Sequence, residues 1–391
     1  MGKFCTLDCK KGGKMNLEIA RKLISYPTIT PQECGIYEYI STLLKGFSYE
    51  RMDCEEVKNA FFYKDFSPHK KEGKIHLCFA GHIDVVPAGE DWESHPFEPT
   101  LKGEYLYGRG AQDMKGGISS FLDAIGKIQK EGVEGNLAIS VLLTSDEEGV
   151  GINGTRYVLE CLAKNNRLPH FALVAEPTCE SVVGDMIKIG RRGSINGVLK
   201  IFGKQGHVAY PSKCINPIEL LGSKLGEIAG KDLDNGDENF EPSKIVVTDI
   251  RGGMQVCNVT PSELTIMFNI RNSTLTTQEN VKRHFENLLG HLEYDLKLTI
   301  SSYPFLTSKE NKLTLHLLDC IEEIVGIKPK VSCSGGTSDA RYFAPYGIGV
   351  VEFGVCNDRI HAKNERVKLQ DLDNLTKIFK KLIQSFCKES L

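Results

Sequence analysis

What the sequence lacks excludes several classes of protein. Its 391 residues include no apolar run long enough to span a bilayer, and the formal net charge of -3 leaves no electrostatic footprint for nucleic acid. The 13 cysteines are odd in number, scattered and without a C-x-x-C pair. This usage favours reduced thiols over a disulfide scaffold or a thiolate zinc site. We therefore expect a cytoplasmic protein that binds neither a membrane nor nucleic acid.

Two different patterns of strands and helices divide the chain into two predicted domains. Residues 1–191 and 302–391 alternate apolar strands with amphipathic helices, which is typical of an α/β fold with a mostly parallel sheet. Residues 192–301 follow the order β-α-β-β-α-β, with a helix predicted over residues 217–228. That order indicates an inserted split-βαβ (ferredoxin-like) domain. Residues 1–14 have no apolar segment typical of a signal peptide, and we expect them to form a disordered extension.

Polar side chains that can bind metals follow three of the predicted core strands. In chain order they are His82 and Asp84, then Glu147 and Glu148, then Glu176. In open α/β sheets the carboxyl ends of the strands form the edge where ligands bind, so we expect these side chains to lie together. A single His-x-Asp or a single acidic turn is more typical of a solvated strand end. The repetition over three strands is what indicates a site.

A glycine-rich segment over residues 108–117 allows a different interpretation, a loop that binds a nucleotide. Its spacing is G-x-G-x-x-D rather than G-x-G-x-x-G, and the sequence contains no G-K-[ST]. An acid in the position of a phosphate also weighs against a nucleotide-binding enzyme. We expect instead that the glycines bend the backbone so that Asp113 points toward the other acids.

Imidazoles and carboxylates without cysteine are the ligands of borderline metals such as zinc, with cobalt or manganese as alternatives. Two ions that share one acid and one water would acidify that water and polarise a carbonyl group. One further carboxylate must stay off the metals to accept the proton of the water. The neighbours Glu147 and Glu148 supply a base and a ligand. A metal-binding or dimerisation module without catalytic activity would not need this unliganded base.

Taken together, these motifs resemble the dinuclear zinc amidohydrolases, the family of aminoacylases, carboxypeptidases and N-acyl-amino-acid deacylases. The resemblance covers nearly everything from residue 15 to the end of the chain. The segments that carry it are residues 81–84, 108–116, 145–148, 176–178, 190–194, 205–211, 335–339 and 357–361. It implies a zinc-hydrolase catalytic domain, into which a dimerisation domain is inserted.

The resemblance implies a set of ligands for two zinc ions, for which cobalt can substitute. His82 and Glu176 would bind one ion, Glu148 and His361 would bind the other, and Asp113 would bridge them. In the family, a cis peptide bond follows the bridging aspartate.

Three further residues receive catalytic roles from the same resemblance. Glu147 would be the general base, and Asp84 would orient His82. His207 lies in the inserted domain, which forms the homodimer interface in this family, and it would stabilise the oxyanion in the partner's active site. Without the resemblance, a lone histidine after a glycine is more typical of a protein surface.

The substrate implied by the resemblance is a small N-acyl amino acid. The residues that would hold its carboxylates and amines are Arg191, Ser194, Tyr210, Asn258, Arg271, Thr337 and Asn357. The arginine pair 191–192 favours an acyl group that carries its own carboxylate, such as succinyl, because guanidinium groups bind carboxylates in a bidentate manner. A deacylase for N-acetyl amino acids, an aminoacylase and a peptidase of the same family are the alternatives.

Overall fold

The computed structural model describes residues 15–67, 69, 73–132 and 135–389. The extension expected over residues 1–14 lies outside these residues. The described chain forms two compact units. The first comprises the residues up to Ile189 together with Thr307–Ser332 and the residues from Ser338 onward, and the second comprises Gly190–Leu306 and Cys333–Thr337.

The helices and strands are numbered here along the chain. The strands are β1 (Ser48–Arg51), β2 (Asn59–Asp65), β3 (Ile75–His82), β4 (Thr100–Lys102), β5 (Tyr105–Tyr107), β6 (Leu137–Thr144), β7 (Phe171–Val174), β8 (Met186–Lys188), β9 (Gly190–Arg191), β10 (Ser194–Phe202), β11 (Gly206–His207), β12 (Ile245–Gly252), β13 (Val259–Thr260), β14 (Glu263–Ile270), β15 (Tyr294–Ser302), β16 (Phe305–Leu306), β17 (Lys330–Ser332), β18 (Gly349–Glu352) and β19 (Arg366–Lys368). The helices are α1 (Met15–Ile24), α2 (Ile36–Leu43), α3 (Lys115–Glu131), α4 (Thr155–Lys164), α5 (Pro217–Leu221), α6 (Gln278–Leu289), α7 (Lys312–Val325) and α8 (Leu369–Phe386). Among the helices of the described residues, none has the length and apolar composition that crossing a membrane requires.

The first unit is built on an eight-stranded sheet in the order β1-β2-β6-β3-β7-β18-β8-β17. The four neighbours β6, β3, β7 and β18 run parallel to one another, whereas β1, β2 and β8 add antiparallel pairs. Strands β3 and β6 are buried along their whole length, as expected for strands covered on both faces. The mostly parallel α/β sheet predicted from the sequence is therefore confirmed.

Helix α3 packs closely against the chain where β7 ends. Its apolar face, which includes Ile118, Phe121 and Ile125, is buried. Gly117 lies on the same side, and a Cβ atom there would come within 2.3 Å of the carbonyl oxygen of Ala175. A glycine at this position thus allows the helix to approach the segment that leads out of β7.

The second unit contains a four-stranded antiparallel sheet in the order β12-β14-β10-β15. Numbered within the unit this is the order 2-3-1-4, which is the split-βαβ arrangement that the sequence predicts. The core on one face of the sheet includes Ile266 and Phe268, together with Leu221 of α5 and Phe285 of α6. The rings of Phe268 and Phe285 stack with their centroids 5.2 Å apart.

The helix predicted over residues 217–228 is only partly correct. The α-helical part ends at Leu221, and a 3-10 helix continues over Gly222–Glu227. The backbone of Gly222 has φ -2° and ψ -88°, which lies outside the α-helical region. Glycine has no side chain to hold the helical conformation, so the helix changes type at this residue.

Two glycines of α3 test how closely this helix packs. Gly117→Ala should lower the free energy of unfolding by about 1–3 kcal/mol, because the new Cβ would overlap the carbonyl of Ala175. In Gly126→Ala on the same helix, the new Cβ atom would meet no atom within 4 Å. This substitution should raise the free energy of unfolding by up to about 1 kcal/mol, because alanine has the higher helix propensity. Chemical denaturation of both variants measures whether each substitution lowers or raises the free energy of unfolding. Equal effects would contradict the close packing at Gly117.

A second prediction concerns a buried histidine at the start of β3. The Nε2 atom of His76 lies 2.8 Å from Ser140 Oγ, and its backbone N–H donates to His170 Nδ1. Burial first, and then the neighbouring His170, lower the pKa of His76 from 6.5 to about 4. Between these values the unfolded chain binds a proton that the folded protein does not. The free energy of unfolding should therefore fall by up to roughly 3 kcal/mol as the pH drops through this window.

The variant His76→Gln, which keeps a polar group beside Ser140, should lose less stability over this range. The measurement is the free energy of unfolding of both proteins, at equal metal content, near pH 7 and near pH 4.5. A difference between wild type and variant that is independent of pH would contradict the assignment.

Candidate metal centre

Five side chains that can ligate metals come together in the first unit, each from a different segment of the chain. They are His82 at the end of β3, Asp113 just before α3, Glu148 after β6, Glu176 after β7 and His361 after β18. The sequence predicts that His82 follows a core strand, whereas in the structure this histidine is the last residue of β3. The parallel order of β6, β3, β7 and β18 explains why residues so distant in sequence meet.

The five side chains form two trios that share Asp113. In the first trio, His82 Nε2 lies 3.1 Å from Asp113 Oδ1 and 3.9 Å from Glu176 Oε1. In the second, His361 Nε2 lies 2.9 Å from Glu148 Oε1 and 3.3 Å from Asp113 Oδ2. Within each trio the candidate ligand atoms lie within 4.8 Å of one another. Asp113 turns one oxygen toward each trio, which is the arrangement of a bridging carboxylate.

The electrostatics of the trios fit positively charged ions. Burial alone would lower the pKa of His82, but hydrogen bonds to Asp113 and Asp84 raise it well above its usual value. Hydrogen bonds to Asp113 and Glu148 raise the pKa of His361 to about 10. The Nε2 atom of each imidazole thus lies close to carboxylate oxygens of two acidic residues. Nitrogen and oxygen donors of this kind fit two divalent ions of the borderline class.

Glu147 lies beside the trios without being needed in either. One of its carboxylate oxygens is within 4.8 Å of the ligand atoms of His82 and Glu148. Burial raises the pKa of Glu147 well above its usual value, and the charges of Asp339 and Asp113 raise it further, against the opposing effect of His82. This is the environment of a carboxylate that can hold a proton near neutral pH.

Asp84 makes contacts that the sequence does not indicate. Its carboxylate accepts hydrogen bonds from Thr30 Oγ1 at 2.7 Å and from the backbone N–H of Glu148 at 3.1 Å and of Glu147 at 3.4 Å. His82 Nδ1 lies 2.9 Å from the backbone carbonyl of Asp84 and 3.6 Å from its carboxylate. Asp84 thus holds the acidic pair in place as well as the imidazole. Thr30 is a contact that sequence reasoning missed.

The glycine-rich segment positions Asp113 through a backbone conformation that residues with a Cβ atom would disfavour. Gly110 has a φ of 84°, and a Cβ there would lie 2.8 Å from a methyl carbon of Val85. The Asp113–Met114 peptide bond is cis, as the family resemblance implies. The backbone N–H of His82 donates to Met114 Sδ at 3.3 Å. The loop therefore aims the carboxylate of Asp113 at His82.

Three of the predicted site residues lie together in the second unit. His207 of β11 pairs with β13, which places it beside Asn258, and the carbonyl of Asn258 accepts from Val208 N at 3.1 Å. The rings of His207 and Tyr210 are 6.0 Å apart. Ala209 N donates to His207 Nδ1 at 3.1 Å, so the neutral ring carries its proton on Nε2. All three residues are exposed, and Nε2 is available as a donor.

The remaining substrate candidates are more dispersed. Arg191 is buried, and its guanidinium donates to the carbonyl of Ser334 at 3.0 Å, in the loop that also carries the half-buried Thr337. Ser194 begins β10, close to the exposed Arg271, which follows β14. The half-buried Asn357 lies in the first unit, where its N–H donates to the carbonyl of Cys179.

Known proteins resemble this chain in sequence and in fold. The model of peptidase family M20/M25/M40 matches residues 78–385. Succinyl-diaminopimelate desuccinylase from Helicobacter hepaticus is 54% identical over 386 residues, which cover 96% of this chain and 98% of that protein. Aminopeptidase PepT from Bacillus cereus has a similar structure, with a TM-score of 0.78 at 19% identity, covering 95% of this chain and 98% of that chain.

A dinuclear metal binding peptidase of the M20 family from Bacillus subtilis shares the fold as well, with a TM-score of 0.69 at 13% identity over 95% of this chain and 98% of that chain. The match to the family model extends over most of the chain, and the Helicobacter hepaticus protein is more than half identical to it over nearly its whole length. This chain therefore belongs to peptidase family M20/M25/M40.

Proposed function

We propose that this chain hydrolyses N-succinyl-LL-2,6-diaminopimelate to succinate and LL-2,6-diaminopimelate, a reaction of lysine and diaminopimelate biosynthesis. The observation that carries the proposal is Glu147, a half-buried acidic residue next to two ligand trios that share Asp113. The choice of substrate is supported by the 54% identity to a relative named succinyl-diaminopimelate desuccinylase. Water adds to the amide carbonyl, and the bond from that carbon to the amine nitrogen breaks.

The proposed cofactors are two Zn²⁺ ions, for which Co²⁺ can substitute. His82 and Glu176 would hold one ion, Glu148 and His361 the other, with Asp113 between them. Bound zinc supplies Lewis acidity, which polarises a carbonyl group and lowers the pKa of water.

Two side chains carry the proton transfers and the charge stabilisation in this proposal. The carboxylate of Glu147 accepts a proton from the attacking water and later delivers it to the departing amine. His207, supplied by a second copy of the chain, donates from Nε2 to the oxyanion that develops on the amide oxygen. The hydrogen bond that Ala209 makes to Nδ1 supports this tautomer of His207. Asp84 holds His82 and the backbone of Glu147 in position.

The substrate has carboxylates and amines that must be held in fixed positions. The residues proposed for this task are Arg191, Ser194, Tyr210, Asn258, Arg271, Thr337 and Asn357. A guanidinium such as that of Arg191 suits the succinyl carboxylate, because it presents two parallel donors.

The setting of the enzyme is part of the proposal too. The domain over residues 192–301 would join two copies into a homodimer, and residues 1–191 and 302–391 would form the catalytic domain. We place the homodimer in the cytoplasm, where it acts on a small molecule without nucleic acid or membrane partners.

The central test is the hydrolysis of N-succinyl-LL-diaminopimelate by zinc-loaded protein, compared with N-acetylornithine and with a chelated control. We expect metal-dependent turnover of the succinyl compound. Glu147→Gln should lower kcat by roughly 10²- to 10⁴-fold at unchanged zinc content, because the amide cannot accept a proton. Turnover of acetylornithine alone would point to the sister deacylase, and full activity of the variant would refute the role of Glu147.

A separate prediction concerns the recognition of the succinyl carboxylate. Arg191→Lys should raise KM for the succinyl substrate by roughly 10- to 100-fold with a smaller change in kcat, since lysine replaces a fork of donors by a point charge. The matched control is Arg192→Lys at the neighbouring position. The Arg192 guanidinium pairs with Glu241 at 3.4 Å, and this variant should leave KM unchanged. Equal effects of the two substitutions would contradict the assignment of Arg191.

A further inference from the structure

The first unit contains a buried ion pair that belongs to neither trio. Arg109 Nη1 lies 2.8 Å from Glu365 Oε2, with only 2% and 1% of the two side chains exposed. A buried pair of this kind is costly unless most of its remaining donors and acceptors are satisfied. Among the described residues, Arg109 Nε is one donor without a partner. Here, main-chain atoms of segments that carry candidate metal ligands supply most of these partners.

The carboxylate of Glu365 fixes the loop that ends in the bridging aspartate. It accepts from the backbone N–H of Gly110 at 3.0 Å, of Gln112 at 2.7 Å and of Asp113 at 3.1 Å. A carboxylate is the side chain that can accept from all of these donors at once. The backbone position of Asp113 is thus tied to Glu365, which is 252 residues distant in sequence.

The guanidinium of Arg109 reaches two other segments. It donates to the carbonyl of Ala88, in the loop after β3, at 3.2 Å. It also donates to the carbonyls of His361 at 3.4 Å and of Ala362 at 3.3 Å. Through one side chain, the loop after His82 and the loop of His361 are therefore joined.

His361 depends on these contacts more than His82 of the first trio does. His82 belongs to β3, which is hydrogen-bonded to β6 and β7 on its two sides. His361 lies outside any strand or helix, its backbone has a φ of 58°, and 49% of its side chain is exposed.

We propose that Arg109 and Glu365 are positioning residues that fix His361 relative to Asp113 and so set the metal affinity of the second trio. The inference rests on the two-ion centre proposed above and is independent of the substrate. Loss of the pair should release His361 while His82 stays in its strand. Both trios share Asp113 and lose the support of its backbone, but only the second also loses the contacts that hold His361. The second trio should therefore lose more affinity than the first.

The test is metal binding by Glu365→Gln, which keeps the shape of the side chain but not its charge. Metal-free wild type and variant are titrated with Co²⁺, and the heat of binding and the visible absorption are recorded. Wild type should bind two ions. The variant should bind the second ion roughly 10- to 100-fold more weakly, the usual effect of removing a residue that supports ligands, and should weaken binding of the first ion by a clearly smaller factor.

A matched control is Glu50→Gln. Glu50 also pairs with an arginine, Arg167, at 2.7 and 2.9 Å, and within the described part of the chain this pair makes no hydrogen bond to a segment that carries a candidate ligand. This variant should bind both ions as wild type does. Thermal unfolding of the metal-free proteins shows whether each variant is folded.

Trp92→Leu keeps the inference testable if Glu365→Gln does not fold. The Trp92 ring lies 5.2 Å from the Arg109 guanidinium, and its Nε1 donates to the carbonyl of Ala88. Loss of this ring leaves no buried charge unpaired. It should weaken the binding of the second ion, as Glu365→Gln does, but by a smaller factor. Unchanged binding in the folded variants, or equal weakening of both ions, would overturn the inference. A wild type that binds fewer than two ions would instead overturn the two-ion centre itself.

Discussion

Repulsion among carboxylates is the constraint on which the candidate centre depends. Asp113, Glu148 and Glu176 lie around two imidazoles, with Glu147 beside them. Burial raises the pKa of Glu147 and of Glu176, and the charge of Asp113 raises both further. Such a cluster can be fully ionised only when positive charge is present between its members. Bound cations would supply such charge, and without compensating positive charge the arrangement would be costly.

The architecture meets this constraint by attaching the acidic groups to rigid elements. Parallel strands bring their carboxyl ends to one edge, and Gly117 lets α3 approach the segment before Glu176. Backbone N–H groups also contribute positive partial charge, because those of Glu147 and Glu148 donate to the carboxylate of Asp84. Partial positive charges that belong to the main chain cannot diffuse away, so the site is organised before any ion or substrate arrives.

Much of the candidate site was predicted from the sequence, but its residues were predicted on different grounds. His82, Glu147 and Glu176 were assigned to one candidate site from their positions at strand ends alone, because hydrophobic periodicity locates buried strands. Asp113 gained support from the glycine spacing, whereas the ligand role of His361 rested on the family resemblance only. The helix over residues 217–228 was partly wrong, since apolar spacing does not report where a glycine changes the helix type.

The sequence by itself determined most of the element types, the α/β class with its inserted domain, and the candidate metal ligands other than His361. These follow from local periodicity and from short motifs, which neighbouring residues encode. Only the tertiary structure decided that Asp113 turns one oxygen to each trio, and that Glu365 supports its backbone. In sequence, Glu365 lies in a polar stretch typical of a solvated loop. Its burial and its partners come from segments some 250 residues away, and no local pattern records such a contact.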